Sequence, residues 1–316
     1  EPLILEERPM RIARAHELGG PEKVVIDEIA APEPEAGQIR IAVKAAAVNP
    51  VDWKLLSGKA PVLPPLPLVL GGDVAGIVDA VGDGVDTWSV GDRVFAHPGL
   101  TGGYTEGIVL DASFVAPMPK AASFSDAAAV PLVALTALQG FLADGRDLSG
   151  LHVLVHNAAG GVGNAAVQIA KAKGAKVTGT ASAANADFVR SLGADNVVDF
   201  RETDVGSCPS DVDILMDLVG NSQETGMWSL IKSGGSVIRI AGGAKAPPEE
   251  TVDGVRAYKV RVRPNGDQLA ELSAMMDAGK LKSSIEQSFA FDQVEQALRA
   301  SMGGHVRGKI VLVVAQ

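Results

Sequence analysis

Cysteine and clustered basic residues are scarce in this chain of 316 residues, and their scarcity excludes several classes of protein. The single cysteine, Cys208, excludes an internal disulfide and a zinc site made of several cysteines, and it is typical of a reducing compartment. Lys and Arg total 28 against 38 for Asp and Glu, a net charge of −10, and no basic run alternates with aromatic residues. Binding to nucleic acid therefore has no electrostatic support.

A long apolar run is missing as well. The longest uncharged, mostly apolar stretch, residues 127–143, is interrupted by Pro131 and contains Thr136 and Gln139, so it is too short and too polar to cross a membrane. The first nine residues lack the cationic start and the apolar core of a signal peptide. We expect a cytoplasmic protein, and 47% hydrophobic content over this length favours two domains.

The sequence pattern changes after residue 125. Residues 1–125 contain short apolar or alternating runs between Gly-rich turns, which predict an antiparallel barrel. A helix over 126–143 then leads into strands that alternate with helices, one of them over 222–234, and this pattern predicts a parallel, doubly wound sheet. The predicted fold class is therefore α/β.

A glycine turn between a strand and a helix is the most informative single motif. The apolar run 153–155 is followed by Gly161, Gly163 and Ala166 in the spacing G-x-G-x-x-A. The first glycine permits a tight turn, the second lets phosphate oxygens approach the backbone, and the small third residue packs the helix on the strand. The candidate ligands of a pyrophosphate are Ala159, Gly160, Gly161, Val162 and Gly163. The alternative is a glycine turn that binds no ligand.

The second strand of this unit ends without a carboxylate. An NAD site usually places Asp or Glu about 20 residues after the glycines to bind the ribose 2′-hydroxyl, whereas residues 178–186, TGTASAANA, are uncharged. A 2′-phosphate would meet no repulsion there and could accept hydrogen bonds from Ser182, Asn185, Arg190 or Arg201. Thr180 is a further candidate ligand of the cofactor. We therefore predict NADPH as the cofactor. The alternative for Ser182 is a solvated helix N-cap.

Six motifs occur in a fixed order along the chain. They are AAVNPVDWKLLSGK (46–59), PLVLGGDVAGIVDAVG (67–82), GDRVFAH (91–97), AAVPLVALTALQ (128–139), AAGGVGNAAVQIAKAKGAKV (158–177) and GHVRGKIVLVV (304–314). Together they resemble the zinc-free branch of the medium-chain dehydrogenase/reductase superfamily, which contains zeta-crystallin-like quinone oxidoreductases and enone or alkenal reductases. Asn185 and Phe200 stand where the quinone reductases usually carry a lysine and a tyrosine for the 2′-phosphate, which suggests kinship with the enone and alkenal subgroup.

The resemblance implies a GroES-like, partly open β-barrel domain of residues 1–125 and 263–316, and a Rossmann domain of residues 126–262 that binds NADP(H). It places the active site in the cleft between these domains. It also implies a homodimer, with the segment 257–264 as a terminal strand whose edge pairs with a second subunit.

The zinc ligands of the alcohol dehydrogenases in this superfamily have no counterpart here. Asn49, Gly72 and Asp73 stand in place of their cysteine and their His-Glu pair, and none of the five histidines has a ligand-like spacing, so each is assigned to packing or to the surface. Without a Lewis acid, oxidation of an alcohol is a poor fit, whereas reduction of a conjugated acceptor needs less help. The implied function is metal-free hydride transfer from NADPH to a small-molecule quinone, enone or alkenal. The alternative is an NADPH-binding structural or regulatory protein with little turnover.

The resemblance also supplies candidate site residues. Asn49, Lys54 and Tyr104 are the candidate catalytic residues, as donors to the charged acceptor oxygen; a capping asparagine, a surface lysine and a wall tyrosine are the alternatives. Thr136 is expected beside the nicotinamide ribose, unless it only bonds its own helix. The remaining candidate ligands of the cofactor are Leu218, Ala241, Gly242, Gly243 and Lys309, the last of which could instead be an ordinary surface lysine.

Overall fold

The structure is a computed structural model that describes residues 9–60, 63–199, 208, 210–241, 248–252 and 254–314. Contacts along the chain divide it into two compact units. The first unit comprises Glu1–Leu132, Pro264–Asp277 and Ile285–Gln316, and the second comprises Val133–Arg263 and Ala278–Ser284.

The regular elements have the following bounds. The strands are β1 (Met10–Ala15), β2 (Val24–Ile29), β3 (Gln38–Val48), β4 (Leu68–Val69), β5 (Val74–Val81), β6 (Arg93–Ala96), β7 (Gly107–Asp111), β8 (Val115–Pro117), β9 (His152–His156), β10 (Lys176–Thr180), β11 (Asn196–Val198), β12 (Val212–Asp217), β13 (Ile231–Arg239), β14 (Glu249–Val252), β15 (Val255–Lys259), β16 (Ile285–Ala290) and β17 (Lys309–Val313). The helices are α1 (Pro50–Leu56), α2 (Phe124–Ala128), α3 (Pro131–Asp144), α4 (Gly161–Ala172), α5 (Ala186–Ser191), α6 (Gly266–Asp277) and α7 (Val294–Met302).

The first unit is built around the long strand β3. It pairs antiparallel with β5, with β7 and, near its end, with β17, which ties the end of the chain into this unit. The larger sheet has the order β16–β17–β3–β5–β6–β8, and a small sheet has the order β2–β1–β4. Most side chains of β3 are buried, and Ile39, Ile41 and Leu312 belong to one hydrophobic core. These sheets make up the predicted GroES-like barrel domain.

The second unit contains the predicted parallel sheet. Its strands lie in the order β11–β10–β9–β12–β13–β15, with β14 antiparallel at the edge. Counted from β9, this is the order 3-2-1-4-5-6 of a Rossmann fold, which confirms the predicted doubly wound topology. The strands β9 and β12 are almost wholly buried because helices cover both faces of such a sheet.

Two predicted helices differ from those in the structure. The helix expected over 126–143 is divided into α2 and α3, because Pro131 lacks an N–H group and starts a new helix at its first position. The prediction of a helix over 222–234 is wrong. Only a 3₁₀ turn over Met227–Leu230 forms there, preceded by Gly226 with a left-handed φ of 77° and followed directly by β13.

The prediction that the segment 257–264 is a terminal strand with a free edge is wrong as well. In the segment 257–264, the last residues of β15 have β13 on one side and β14 on the other. The short strand β14 therefore covers the edge that the sequence analysis offered to a second subunit. None of the helices in the described part of the chain has the length and apolar character needed to cross a membrane.

Candidate functional site

A cluster of buried polar side chains occupies the first unit. Asn49 follows the end of β3, Asp73 precedes β5, and β17 begins at Lys309. Because Ile310 of β17 pairs with Val48 of β3, Lys309 lies beside Asn49. The members, each at most 4% exposed, are Asn49, Asp52, Asp73, His97, Tyr104 and Lys309.

An ammonium group holds this cluster together. The Nζ atom of Lys309 donates to the Asn49 side-chain oxygen and lies 3.2 Å from Oδ2 of Asp73. The same Oδ2 accepts from Nδ2 of Asn49 at 2.7 Å, and Oδ1 accepts from the backbone N–H of Leu132 at 2.5 Å. Each charge is therefore paired and hydrogen-bonded, as burial requires.

A buried carboxyl group and a phenol form the next part of the cluster. Oδ2 of Asp52 accepts from the hydroxyl of Tyr104 at 2.7 Å and from the backbone N–H of Asn49 at 2.8 Å. Burial raises the pKa of Asp52 to about 7, against the hydrogen bonds that lower it. Burial and the neighbouring carboxylate also raise the pKa of Tyr104 well above its ordinary value. Asp52 thus titrates near neutral pH while Tyr104 stays protonated.

His97 belongs to the cluster, although the sequence analysis assigned every histidine to packing or to the surface. Its Nδ1 lies 2.5 Å from the carbonyl oxygen of Gly72, so Nδ1 carries the proton. Burial lowers the pKa of His97 and keeps the ring neutral. Its Nε2 is buried without a hydrogen-bond partner in the described residues. Asp52 and His97 are the members that sequence reasoning missed, and only the Asn-Pro-x-Asp start of α1 signalled Asp52.

The three predicted catalytic residues have different surroundings. Asn49 is the N-cap residue of α1, yet its side chain makes no capping bond and instead donates to Asp73 and, at 3.3 Å, to the carbonyl of Ala47. The hydroxyl of Tyr104 is engaged by Asp52. Lys54 is exposed, with its Nζ 5.4 Å from the centre of the Trp53 ring. The structure thus brings two of the three into one cluster and leaves Lys54 outside it.

The glycine turn of the second unit connects β9 to α4. Asn157 adopts a left-handed φ of 68°, and Gly160 precedes the helix without a side-chain cap. A Cβ at Gly163 would lie 2.2 Å from the carbonyl oxygen of Asn157 and 2.7 Å from Cα of Ala158. Only glycine allows the helix to start this close to the strand. The first N–H groups of α4 have no acceptor within the helix and point out of its N-terminus, which suits a phosphate.

The predicted ligand Thr180 contacts the glycine turn through its hydroxyl group. Its hydroxyl accepts from the backbone N–H of Asn157 at 2.9 Å and lies 2.9 Å from Nδ1 of His156. Burial lowers the pKa of His156, so the ring is neutral, and its Nε2 lies 3.1 Å from the side-chain oxygen of Asn221. Thr180 is therefore placed to fix the backbone of the turn.

The rim that follows β10 carries a charge that the sequence analysis did not expect. Ser182 is half-buried and makes no capping hydrogen bond, although it precedes a 3₁₀ turn. Asn185, also half-buried, ends that turn. The backbone N–H of Ala183, however, donates at 2.9 Å to Oδ2 of Asp199, which follows β11. A carboxylate from the neighbouring strand thus reaches a rim whose own residues are uncharged.

The other candidate ligands lie around the ends of β12 and β13. Asp217 ends β12 and accepts from the backbone N–H groups of Val219, Gly220 and Ser222, which shapes the loop that contains the half-buried Leu218. Ala241 follows β13, while Gly242 and Gly243 lie outside the described residues. Thr136 is 3% exposed on α3. The glycine turn, the open N-terminus of α4 and the loop after β12 fit a dinucleotide at the point where the strand order reverses.

Comparison with known proteins places this geometry in a family. A model of the alcohol dehydrogenase GroES-like domain matches residues 35–120, and a model described as zinc-binding dehydrogenase matches residues 192–312. Quinone oxidoreductase from Homo sapiens is 33% identical over 98% of this chain and 99% of its own length. The chain belongs to the quinone oxidoreductase branch of the medium-chain dehydrogenase/reductase superfamily.

Two further members of the branch are similar over most of the chain. The NADPH-dependent alkenal/one oxidoreductase of Arabidopsis thaliana chloroplasts is 35% identical over 90% of this chain and 74% of its own length. The quinone oxidoreductase from Coxiella burnetii superposes with a TM-score of 0.87 at 30% identity, over 98% of this chain and all of that one. The family and its two folds therefore agree with the sequence-based expectation. Among the residues that the structure describes, no three His, Cys, Asp or Glu side chains group as metal ligands would.

Proposed function

We propose that this chain transfers a hydride from NADPH to a quinone or to an α,β-unsaturated carbonyl compound and needs no metal ion. The names of the similar proteins support this reaction, since they include quinone oxidoreductases and an alkenal/one oxidoreductase. The fit of the glycine turn to a dinucleotide supports the cofactor. When bound, NADPH supplies the hydride, and the reduced acceptor takes its proton from water.

The observation that carries the metal-free part of the proposal is the ammonium group of Lys309. Asn49 and Asp73 stand where the resemblance puts zinc ligands of the alcohol dehydrogenases, and both direct an oxygen at Nζ of Lys309. A divalent cation on the same oxygens would lie next to a buried ammonium group, and repulsion at that range costs several kcal/mol even at a moderate effective dielectric constant. Lys309 thus occupies the position that a metal would need.

The chain's own residues then hold the cofactor and order the site. The first N–H groups of α4 bind the pyrophosphate, and Ser182 and Asn185 bind the 2′-phosphate. The carboxylate of Asp199 weakens the preference for that phosphate without removing it, because its Oδ2 accepts a hydrogen bond from the backbone N–H of Ala183.

Lys54 is the proposed donor to the acceptor oxygen, because its ammonium group is exposed whereas Asn49 and Tyr104 spend their donors inside the cluster. The latter two are positioning residues. Lys54→Met should lower kcat/KM at least about tenfold, as expected for loss of one charge-stabilising donor. Lys59→Met removes another exposed charge five positions away and should leave kcat/KM unchanged.

Turnover tests the function directly. The purified protein is mixed with NADPH or NADH and with 1,4-naphthoquinone, a simple enone or an alkenal, and cofactor absorbance is followed. We expect steady oxidation of NADPH, faster than that of NADH. Quenching of NADPH fluorescence on binding, with no consumption for any acceptor, would instead favour the structural or regulatory alternative.

The proposal includes a cytoplasmic homodimer. The lone cysteine suits a reducing compartment. The outer edge of β14, at the end of the described sheet, has backbone groups that a second copy could pair with. Sedimentation equilibrium at micromolar concentration tests the dimer, and a monomer mass would refute it.

A further inference from the structure

A basic cavity lies at the carboxyl end of β15 in the second unit. Its volume is about 480 Å³, and its lining includes Gln139, Pro248, Lys259, Arg261 and Arg263. Lys259, Arg261 and Arg263 occupy alternate positions, so an extended backbone can direct all three to one side. None of the described residues that line the cavity is acidic. Three cations therefore share one wall in a chain whose net charge is −10.

The cations at this cavity lie close enough to repel one another. Lys259 is half-buried, and burial lowers its pKa, as do the nearby guanidinium groups of Arg239 and Arg261. Arg239 is paired with Glu250 at 2.5 Å. Arg261 and Arg263 are exposed, so their planar guanidinium groups can reach an entering carboxylate and bind it with two parallel hydrogen bonds.

The cavity wall is fixed in place by hydrogen bonds. The backbone N–H and carbonyl of Arg263 bond the side chain of Gln139 on α3, at 3.0 and 2.8 Å. The Nζ atom of Lys259 donates to the carbonyl oxygens of Ile240 and Ala241 at 3.0 and 3.3 Å. The cavity thus adjoins Ala241, one of the predicted ligands of the cofactor.

The order of strands shows which end of the cofactor lies nearest. The pyrophosphate turn follows β9, and the rim for the adenosine ribose follows β10, on one side of the switch point. β15 lies on the other side, beyond β12 and β13. The three cations are therefore remote from the 2′-phosphate, and that phosphate does not account for them.

We propose that this cavity binds an anionic group of the acceptor, so that the preferred substrate is a conjugated carbonyl compound or quinone with a carboxylate substituent. The inference rests on the proposed function for the reacting part of the substrate. The inference adds that the part of the substrate that does not react carries a negative charge.

A pair of matched acceptors tests the inference. The enone 4-oxopent-2-enoate and its methyl ester are compared by kcat/KM with NADPH, in the parent chain and in the double variant Arg261→Gln/Arg263→Gln. The preference for the acid over the ester should fall about tenfold in the double variant, because two exposed ion pairs are lost. The difference in intrinsic reactivity between the acid and the ester cancels when the preference of the double variant is divided by that of the parent chain. The preference should also decline with added salt in the parent chain.

Lys176→Met is the matched control, because it removes an exposed charge at the amino end of β10 and should not change the preference. An unchanged preference in the double variant, or an equal fall in the control, would overturn the inference. A readout without turnover separates it from the proposed function: calorimetric binding of 2-naphthoate should exceed that of 2-naphthamide and weaken in the double variant. Failure of all acceptors to oxidise NADPH, with that binding difference intact, would refute the function and leave the anion site standing.

Discussion

Replacement of Lys309 by methionine tests the buried cluster most sharply. Methionine keeps most of the side-chain volume but removes the ammonium group, which is the cationic partner of Asp73 within the cluster. Asp73 is fully buried, so among its described partners the carboxylate would keep the hydrogen bonds from Asn49 and Leu132 alone. Loss of one partner of a buried ion pair typically costs about 3–5 kcal/mol, and we expect Lys309→Met to destabilise the first unit by that amount.

The loss should be visible in thermal unfolding. For a unit of this size, each kcal/mol shifts the midpoint by about 2–4 °C, so the transition of the first unit should fall by about 6–20 °C. Two of the three tryptophans, Trp53 and Trp88, lie in this unit and Trp228 lies in the second, so intrinsic fluorescence reports mainly on the first unit and calorimetry resolves the two transitions.

Two variants serve as controls for this prediction. Lys54→Met removes an exposed charge and should change the unfolding free energy by less than about 0.5 kcal/mol. Asp73→Asn combined with Lys309→Met removes both charges, so the double variant should recover part of the stability that the single variant loses. A loss below about 1 kcal/mol in Lys309→Met, or purely additive effects, would refute the idea that the ammonium group holds the cluster together.

Three other changes probe separate parts of the structure. The pKa of Asp52, about 7, lies above the ordinary 3.8, so the folded protein binds this proton more tightly than the unfolded chain does. The unfolding free energy should therefore decline between pH 4 and 8. Urea titrations at several pH values should show a smaller decline in Asp52→Asn. Asp199→Asn should raise the ratio of kcat/KM for NADPH over NADH about fivefold, by removing repulsion of the 2′-phosphate, and an unchanged ratio would show that Asp199 does not act on the 2′-phosphate. Gly163→Ala should weaken NADPH binding in fluorescence titrations and cost about 1–3 kcal/mol of stability, since its Cβ would overlap the Asn157 carbonyl; undiminished affinity would count against the proposed turn.

Most of the second unit could be predicted from the sequence because its signals are local. The apolar run of β9, the glycine turn and the helix α4 adjoin one another in the chain, and each restricts the next. The segments that were predicted wrongly lack such agreement between neighbouring signals. Residues 222–234 have helix-like composition, but Gly226 needs a left-handed φ and Gly234 also has one, so the chain makes a short turn and a strand there. The covering strand β14 has no distinctive pattern of its own.

The polar cluster and the carboxylate at the rim could not be predicted from neighbouring residues. Asp199 lies 16 positions after Ala183, and only the pairing of β10 with β11 brings them together. Lys309 and Asn49 are separated by 260 positions and meet because β17 pairs with β3. The motifs identified Asn49 and Lys309 as site residues, but their contacts with each other depend on strand register, which no local pattern specifies.

The rate of NADPH oxidation by an enone after removal of metal ions tests the central claim most directly. The protein is dialysed against a strong chelator, its zinc content is measured, and the rate is compared before and after treatment. The rate should be the same in metal-depleted protein, with NADPH oxidised faster than NADH. A rate that disappears on depletion and returns with added Zn²⁺ would contradict it.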